Sequence, residues 1–336
     1  LLALSRGRIG WVLGVAGLGV AKSIENMEIG HNVSHGQWDW MNDPEVHSTT
    51  WEWDMAGTST QWKYAHNFVH HRYTNVVGMD EDVGFGVMRV TRDQRWRPRH
   101  LLQPIQNLVL AATFEWGVAV HDVDIHQRSG VRAVAVKIAR QSAKDYVLFP
   151  VLAGPMAPLV FAGNFTANIV RNIWSFMIIF CGHFPDGVEE FTEEETANES
   201  RGQWYYRQIL GSANLTGGKL FHIMSGNLSH QIEHHLYPDL PARRYAQVAP
   251  QVREICERYG LPYNSGPLPK QFASVVGKIV RLALPGKRAV LIVEEGQPAY
   301  IEDAVSRDMG RDMALLGINR LDEMRDGRVV HLSDRG

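Results

Sequence analysis

The sequence predicts an all-α membrane protein, with transmembrane helices and a helical cytosolic cap that carries a histidine-rich di-metal site. Three observations support this fold class. Histidines recur at helical spacing in three stretches that lie far apart in the chain. Apolar segments approaching the roughly 20 residues that cross a bilayer lie before and between these stretches. Two cysteines among 336 residues form no disulfide framework, which fits a reducing, cytoplasm-facing location.

The third histidine stretch, residues 226–238, is the most informative. If it is helical, His230 and His234 lie one turn apart on one face, and Gln231 and His235 lie on the next face. The two faces point about 100° apart. A single short helix could therefore offer ligands to two neighbouring metal ions.

Two earlier stretches repeat this arrangement. His31 and His35 form an i,i+4 pair, and His66 and His70 form a second pair that is followed by His71. Eight of the fifteen histidines therefore fall at helical ligand spacing. One such pair is more often an ordinary surface feature than a metal site, but three clusters favour metal binding.

The residue types narrow the choice of metal. Imidazole binds Zn, Cu, Fe and Ni, so the histidines alone leave the metal open. The clusters contain no cysteine, which disfavours a structural zinc site, and they offer more ligands than the three or four protein side chains that one zinc ion takes.

The order HxxxH, HxxxHH, QxxHH, with apolar segments between the motifs, resembles the integral-membrane fatty acid desaturase family from about residue 24 to about residue 285. Gln231 to His235 is similar to the QxxHH variant of many acyl-chain desaturases. The resemblance implies two iron ions (Fe2+/Fe3+) held by histidine, with O2 as co-substrate. It implies desaturation of a long-chain fatty acyl substrate by an integral membrane enzyme whose active site faces the cytoplasm.

The resemblance also implies a ligand set. His183, just past the last apolar segment, corresponds to a histidine that commonly joins the metal ligands, although Ile179 stands where the best-known acyl-CoA pattern has asparagine. Asn227 or a water are the candidates for the position that this leaves. The implied metal ligands are His31, His35, His66, His70, His71, His183, His230, Gln231, His234 and His235. The residues expected to support these ligands from behind are Asp80, Asp82, His222 and Asn227.

The electron donor is expected to be a separate protein, because the chain lacks motifs for redox cofactors of its own. The chain shows no HPGG haem motif, no GxGxxG fingerprint and no cysteine cluster, so electrons are expected from a ferredoxin, a cytochrome b5 or a flavin reductase. The substrate is expected to be a fatty acyl-CoA or an acyl-lipid, in contact with membrane lipid. With 34 basic and 36 acidic side chains, nothing indicates nucleic-acid binding. Two alternatives remain: a di-iron hydroxylase on the same scaffold, and a non-catalytic membrane metal-binding protein.

The apolar segments predict the membrane helices. Residues 9–21 predict a membrane helix that continues to the first histidine pair, and 101–123 predict either a span or an interfacial helix. Residues 146–163 and 165–180 predict a membrane hairpin that turns near Asn164. The basic residues within 91–100 predict a headgroup-facing stretch.

Three further helices are predicted over 193–210, 242–259 and 270–284. We expect an N-terminally truncated desaturase domain over 1–285 and an unrelated α/β-like tail over 286–336. Within that tail, residues 288–302 are similar to a short piece of indolepyruvate ferredoxin oxidoreductases, from which no activity is inferred.

Overall fold

The computed structural model describes residues 7–121, 123 and 128–286, and this part of the chain is mostly helical. Apart from Gly286, the predicted tail and its similarity at 288–302 lie outside the described residues. The α-helices are α1 (Arg8–Ile24), α2 (Asn32–Ser34), α3 (Ser59–Trp62), α4 (His71–Tyr73), α5 (Gln103–Ala112), α6 (Phe114–His121), α7 (Arg128–Ala143), α8 (Phe149–Leu152), α9 (Ala157–His183), α10 (Glu193–Thr196), α11 (Arg201–Leu210), α12 (Lys219–Met224), α13 (Gln231–Leu236), α14 (Tyr245–Tyr259) and α15 (Leu268–Ala283).

Shorter helical and extended pieces join them. The strands are β1 (Val76–Val77), β2 (Phe191–Thr192), β3 (Asn214–Thr216) and β4 (Ser265–Pro267); π-helices cover Glu25–His31, Lys63–His70 and Lys144–Leu148; and 3-10 turns cover Asp39–Met41, Val83–Gly86, Pro98–Leu102, Gly154–Met156 and Ala242–Arg244.

α1 and α9 form the main helix pair and run in the same direction. The Trp11 indole donates a hydrogen bond to the Leu159 carbonyl, 3.0 Å away. Two turns further on, Gly19 lies so close to Val170 that a Cβ there would be 3.3 Å from its side chain. The predicted helix over 9–21 is confirmed. Its continuation through Glu25–His31 delivers His31 and His35 to the inner end of α9.

The predicted hairpin exists, but its predicted turn is wrong. The chain reverses at Gly154–Met156, where Gly154 has a φ of +57°, and α9 then runs unbroken through Asn164. Pro158 fits the first turn of α9, which needs no N–H. The Asn164 amide donates to the Asp145 carbonyl on the first arm instead of ending the helix. Among the described residues, only Gly154–His183 is long and apolar enough to cross a membrane.

The segment 101–123 is not one spanning helix. It divides at Thr113 into α5 and α6, two short helices that both pack against α9. Glu115, at the start of α6, is buried and pairs with Arg171 of α9. Its other carboxylate oxygen accepts from the Ala56 backbone N–H at 2.9 Å. The Glu115 carboxylate therefore faces protein.

Two small parallel sheets tie the cap to the end of α9. β1 pairs with β2, and β3 pairs with β4. The Ala213 N–H, just before β3, donates to the Gly182 carbonyl at 2.8 Å. These pairings fix the segments that follow the second and third histidine stretches against the helix that carries His183.

The helix predicted over 193–210 is two helices, α10 and α11. Each begins with its own capping box, Thr192 with Glu195 and Ser200 with Gln203, which satisfies the free N–H groups of its first turn. The helices predicted over 242–259 and 270–284 are confirmed. Tyr205 and Ile209 of α11 and Val248 of α14 join the buried core beneath α13.

Candidate metal centre

Histidines from four chain segments converge at the inner end of α9. The ring centroids of His31 and His35 lie 4.5 Å apart, and His31 lies 4.9 Å from His234. His70 lies 4.8 Å from His183 and 5.0 Å from His235. Residues that are about 200 positions apart in the chain therefore share one buried pocket.

The ring nitrogens in this pocket form two groups made of histidine alone, and His66 and His70 form a third group with Asp82. His31, His35, His66 and His234 place one nitrogen each within 4.8 Å of one another, and so do His70, His183 and His235. Each group offers enough ligands for its own ion. The arrangement is therefore suited to two adjacent metal ions.

His71 lies between the two groups. Its ring centroid is 4.7 Å from that of His234, in the first group, and 4.5 Å from that of His235, in the second. Both of its ring nitrogens are buried and have no hydrogen-bond partner among the described residues. His71 is therefore placed to contribute to either ion.

The pocket contains several buried ring nitrogens that have no hydrogen-bond partner among the described residues, and a bound metal ion would give them one. Each unpaired buried polar group costs about 1–3 kcal/mol, so together these groups would offset much of the stability of an ordinary domain. Metal coordination removes that cost, so the donor set fits a metal pair. In the described part of the chain, the buried Nε2 atoms without a hydrogen-bond partner include those of His31, His35, His66, His70, His71, His234 and His235.

The opposite ring nitrogens are held by protein groups, which fixes the tautomer. His70 Nδ1 donates to Asp80 at 3.0 Å, and His235 Nδ1 donates to Gln208 Oε1 at 3.1 Å. His234 Nδ1 donates to the Tyr245 hydroxyl at 3.1 Å, since that hydroxyl itself donates to the Tyr237 carbonyl. Each contact leaves Nε2 as the nitrogen that faces the pocket.

Two of these contacts connect distant helices to the pocket, and the third comes from the loop after the second histidine stretch. Asp80 was predicted as a residue that could hold a metal ligand in place. Gln208 and Tyr245 were not predicted, because each is a lone polar residue on a helix that carries no histidine pair. Asp82, another candidate, lies at the edge, 3.5 Å from His70 Nδ1 and 3.9 Å from His66 Nδ1.

Burial sets the protonation of the pocket. Removal from water, reinforced by neighbouring imidazoles, lowers the pKa of most rings well below the usual value, so they stay neutral and available as ligands. His70 differs: burial opposes its charge, but the Asp80 carboxylate outweighs burial and raises its pKa to about 9. The rings with lowered pKa include His31, at about 3, and His35, His66, His71, His234 and His235.

His230 is the main departure from the predicted arrangement. α13 begins at Gln231, and His230 precedes it with a φ of −103° and a ψ of +58°, so His230 and His234 do not share a helix face. The preceding turn contains Gly226 and Asn227 at positive φ, and a Cβ on Gly226 would lie 2.2 Å from the Met27 carbonyl oxygen. That close approach forces a turn where a continuous helix was predicted.

His230 instead pairs with His222. Their rings stack at 4.7 Å, and His222 Nδ1 contacts the Ser229 hydroxyl at 2.7 Å. Neither residue belongs to the two nitrogen groups. Asn227 likewise donates its amide to Glu28, at 3.2 Å. Among the described residues, no ring contact or side-chain hydrogen bond joins His222, Asn227 or His230 to the two nitrogen groups, and His230 Nε2 is buried without a partner.

Gln231, unlike His230, contacts a histidine of the second nitrogen group. Its amide lies 3.1 Å from His183 Nε2, and its Oε1 has no partner among the described residues. A Cβ on Gly182 would lie 2.9 Å from the Gln231 side chain, so a glycine before His183 makes room for it. Gln231 thus faces the second nitrogen group.

A buried cavity leads away from the pocket along α9. It consists of two adjoining parts that share His31, Trp62, Ile179 and Leu228 among their lining residues. Ser175, Ile179 and His183 follow one another at single-turn intervals on one side of α9. The cavity therefore extends from His183 along α9, past Ser175, to the buried Glu115–Arg171 pair. Most of its wall is apolar.

Comparisons with known proteins agree with the resemblance. The fatty acid desaturase family model matches residues 9–267. The NADPH-dependent stearoyl-CoA 9-desaturase of Mycobacterium tuberculosis is 52% identical over 302 residues, which cover 85% of this chain and 71% of that protein.

More distant relatives share the same region. The sn-1 linoleoyl-lipid 6-desaturase of Synechocystis sp. is 24% identical over 273 residues, 76% of each chain. The acyl-lipid (7-3)-desaturase of Diacronema lutheri is 26% identical over 268 residues, 74% of this chain and 58% of that protein. No solved structure gives a significant match to the chain.

The different positions of His234 and His230 generate a prediction. We expect His234→Ala to lose at least half of the bound metal, because one of its ring nitrogens belongs to the first nitrogen group. We expect His230→Ala to retain wild-type metal content, because its ring belongs to neither group. The measurement is metal per chain by inductively coupled plasma mass spectrometry on detergent-purified protein. Equal metal loss in the two variants would show that His230 is a ligand and that the assignment of the pocket is wrong.

Proposed function

The chain belongs to the fatty acid desaturase family, and on that premise we propose that it desaturates a long-chain fatty acyl-CoA at a two-iron centre, using O2 and externally supplied electrons. The observation that carries the proposal is the pair of adjacent histidine groups, with unpartnered ring nitrogens, at the end of a buried and mostly apolar cavity. The mycobacterial relative, named as a stearoyl-CoA desaturase, supports a CoA thioester as the acyl carrier.

Iron is the metal that the family and the donor set favour, since the pocket offers imidazoles, one amide and no thiolate. Iron bound there would supply the activation of O2 that removal of hydrogen from an unactivated methylene requires. We propose that the ligands are His31, His35, His66, His70, His71, His183, Gln231, His234 and His235.

The protein's own part is to hold the donors in place and to position the acyl chain. Asp80, Gln208 and Tyr245 fix the orientation of three imidazoles through their Nδ1 atoms. We propose that the acyl chain lies along α9 in the cavity between His183 and Ser175. Apolar walls of Trp53, Trp62, Phe114 and Leu228 exclude water from the methylenes that react.

The chain is proposed to sit in a membrane through α1 and the α8–α9 hairpin. Exposed apolar side chains on these helices, among them Ile9, Leu13, Phe161 and Phe165, support contact with lipid. The histidine pocket lies at the opposite end of α9 from the hairpin turn. We propose that this end faces the cytoplasm, where soluble electron carriers are available.

The proposed activity has a direct test. Iron-loaded protein supplied with NADPH, a ferredoxin reductase, ferredoxin and labelled stearoyl-CoA should form a mono-unsaturated acyl product, and His234→Ala should form none. Gas chromatography with mass spectrometry identifies the product and locates the double bond. A hydroxylated product would indicate the hydroxylase alternative, and zinc-loaded protein that consumes no O2 would indicate a metal-binding protein without catalysis.

The cavity generates a second prediction. Ser175 is buried, its hydroxyl has no partner among the described residues, and it lines the deeper part of the cavity. Ser175→Leu should shift the preference from stearoyl-CoA towards palmitoyl-CoA by about tenfold, since burial of two methylenes is worth about 1.6 kcal/mol. The ratio of kcat/KM for the two substrates measures the effect.

Ile173→Leu on the outward side of α9 is the matched control, because Ile173 is 39% exposed and does not line the cavity among the described residues. Its preference should equal that of the wild type. An unchanged preference in Ser175→Leu, with normal thermal stability, would mean that the acyl chain does not reach this part of the cavity.

A further inference from the structure

Three tryptophans form a continuous row of ring contacts that leads from the histidine pocket towards the surface. The ring centroids of Trp62 and Trp53 lie 5.1 Å apart, and those of Trp53 and Trp51 lie 6.4 Å apart. Both distances fall in the range of direct aromatic contact. Trp53 is 6% exposed, whereas Trp51, at the outer end, is partly exposed. Trp62, Trp53 and Trp51 are called the tryptophan row below.

The inner end of the row touches the candidate metal ligands. Trp62 stacks on His66, with their ring centroids 4.3 Å apart and their planes 22° apart. Its ring also meets His31 and His35 edge to face, at 5.4 Å and 5.7 Å. Trp62 is therefore in direct ring contact with three of the four histidines of the first nitrogen group.

The surrounding backbone holds the outer two rings in place. Trp51 and Trp53 lie two residues apart in a segment between the first two histidine stretches. Gly30 makes room for both, because a Cβ there would lie 3.1 Å from each indole. The Trp53 indole N–H donates a hydrogen bond to the Gly57 carbonyl, 2.8 Å away. The row is thus a fixed arrangement and not a chance contact of loose side chains.

We propose that the tryptophan row is a protective one-electron relay, which removes oxidising equivalents from the metal pocket when no acyl chain is present to consume them. The proposal rests on the proposed desaturase function. In that reaction, O2 takes up four electrons to become two water molecules. The external donor supplies two of them, and the two C–H bonds that break in the acyl chain supply the other two. An empty cavity withholds that second pair.

The row supplies the missing pair one electron at a time. Trp62 gives an electron to the pocket and becomes a radical cation, which Trp53 reduces, and Trp51 then reduces Trp53. At the surface, a soluble one-electron reductant of the ascorbate or thiol class restores Trp51. The sum is O2 + 4 e− + 4 H+ giving 2 H2O, with two electrons from the desaturase donor, two from that reductant, and the protons from solvent.

Indole chemistry sets the direction of transfer. Indole is among the side chains that are most easily oxidised, but it does not accept an electron from a biological reductant. The row therefore suits the outflow of oxidising equivalents and not the entry of electrons. The Gly57 carbonyl accepts the Trp53 hydrogen bond but is too weak a base to take the proton. Oxidised Trp53 therefore keeps its proton and remains able to oxidise Trp51.

Simple packing of the cavity wall is the rival explanation of the row. Trp62 and Trp53 line the acyl cavity, and that role requires bulk but no redox chemistry. Trp51 is not among the residues that line the cavity in the described part of the chain. It extends the row from the cavity wall to a partly exposed position, which a wall does not need and a relay does.

Oxidation of the iron-loaded full chain without acyl-CoA tests the proposal. The detergent-purified protein is reduced with dithionite and exposed to O2 with catalase present, and tandem mass spectrometry then measures oxidised tryptophan at each position. The oxidised product should concentrate on Trp51, although Trp40 and Trp116 are more exposed, at 37% and 41%. Equal or greater oxidation of Trp40 and Trp116 would show attack by an oxidant from solution and would overturn the relay.

Variants at the outer end locate the path. Trp51→Phe should move the oxidised product to Trp53 and Trp62 and lower the number of turnovers before inactivation, while the initial rate with saturating stearoyl-CoA stays at the wild-type value. Trp51→Tyr retains an oxidisable ring and should restore both properties. Trp116→Phe is the matched control, because Trp116 lies on α6 and has no ring contact with the row among the described residues. It should behave as the wild type.

A spectroscopic measurement separates the relay from a structural role of Trp51. Rapid-freeze-quench electron paramagnetic resonance on protein with ring-deuterated tryptophan should detect a tryptophan radical after O2 is added. Saturating stearoyl-CoA should suppress that radical, because the acyl chain then supplies the electrons. An undiminished radical with substrate, or an unchanged product pattern at Trp53 and Trp62 in Trp51→Phe, would overturn the relay. A wild type that forms no alkene from stearoyl-CoA with a full electron supply would instead contradict the proposed function.

Discussion

The structure depends on one constraint: a set of buried imidazoles must find partners for nitrogens that the protein leaves unpaired. No domain of this size can bury so many polar atoms without compensation, because their combined cost approaches its whole stability. Two adjacent metal ions would satisfy these nitrogens, and the rest of the fold holds the rings in position. Asp80, Gln208 and Tyr245 serve this purpose from three different segments.

The same constraint accounts for irregular helices around the pocket. π-helical turns cover Glu25–His31 and Lys63–His70, both of which carry candidate ligands. A π-helical turn shifts side chains around the helix relative to an α-helix, and such turns occur frequently at functional sites. The helix spacing of HxxxH therefore describes these segments only approximately, although the rings of His66 and His70 still stack at 5.1 Å.

The predictions from sequence were confirmed where residue type and helical spacing indicated the same element. The histidine stretches, α1, α14 and α15 follow from residue type and spacing alone. The predictions failed where a tertiary contact overrode local pattern. His230 lies outside the two nitrogen groups, because Gly226 packs against the Met27 backbone and the chain turns there. α9 continues through Asn164, whose amide donates to the Asp145 carbonyl across the hairpin. Gln208 and Tyr245 carried no local signal, since their importance comes only from the rings that they touch.

The pocket divides the molecule into regions with separate tasks under the proposed function. We propose that the apolar cavity along α9 receives the acyl chain and that the apolar outer faces of α1 and α9 contact lipid. Mössbauer spectroscopy of 57Fe-loaded protein tests the central claim most directly. Our account predicts two irons per chain in one magnetically coupled, histidine-ligated pair; a single isolated iron, or two uncoupled irons, would contradict it.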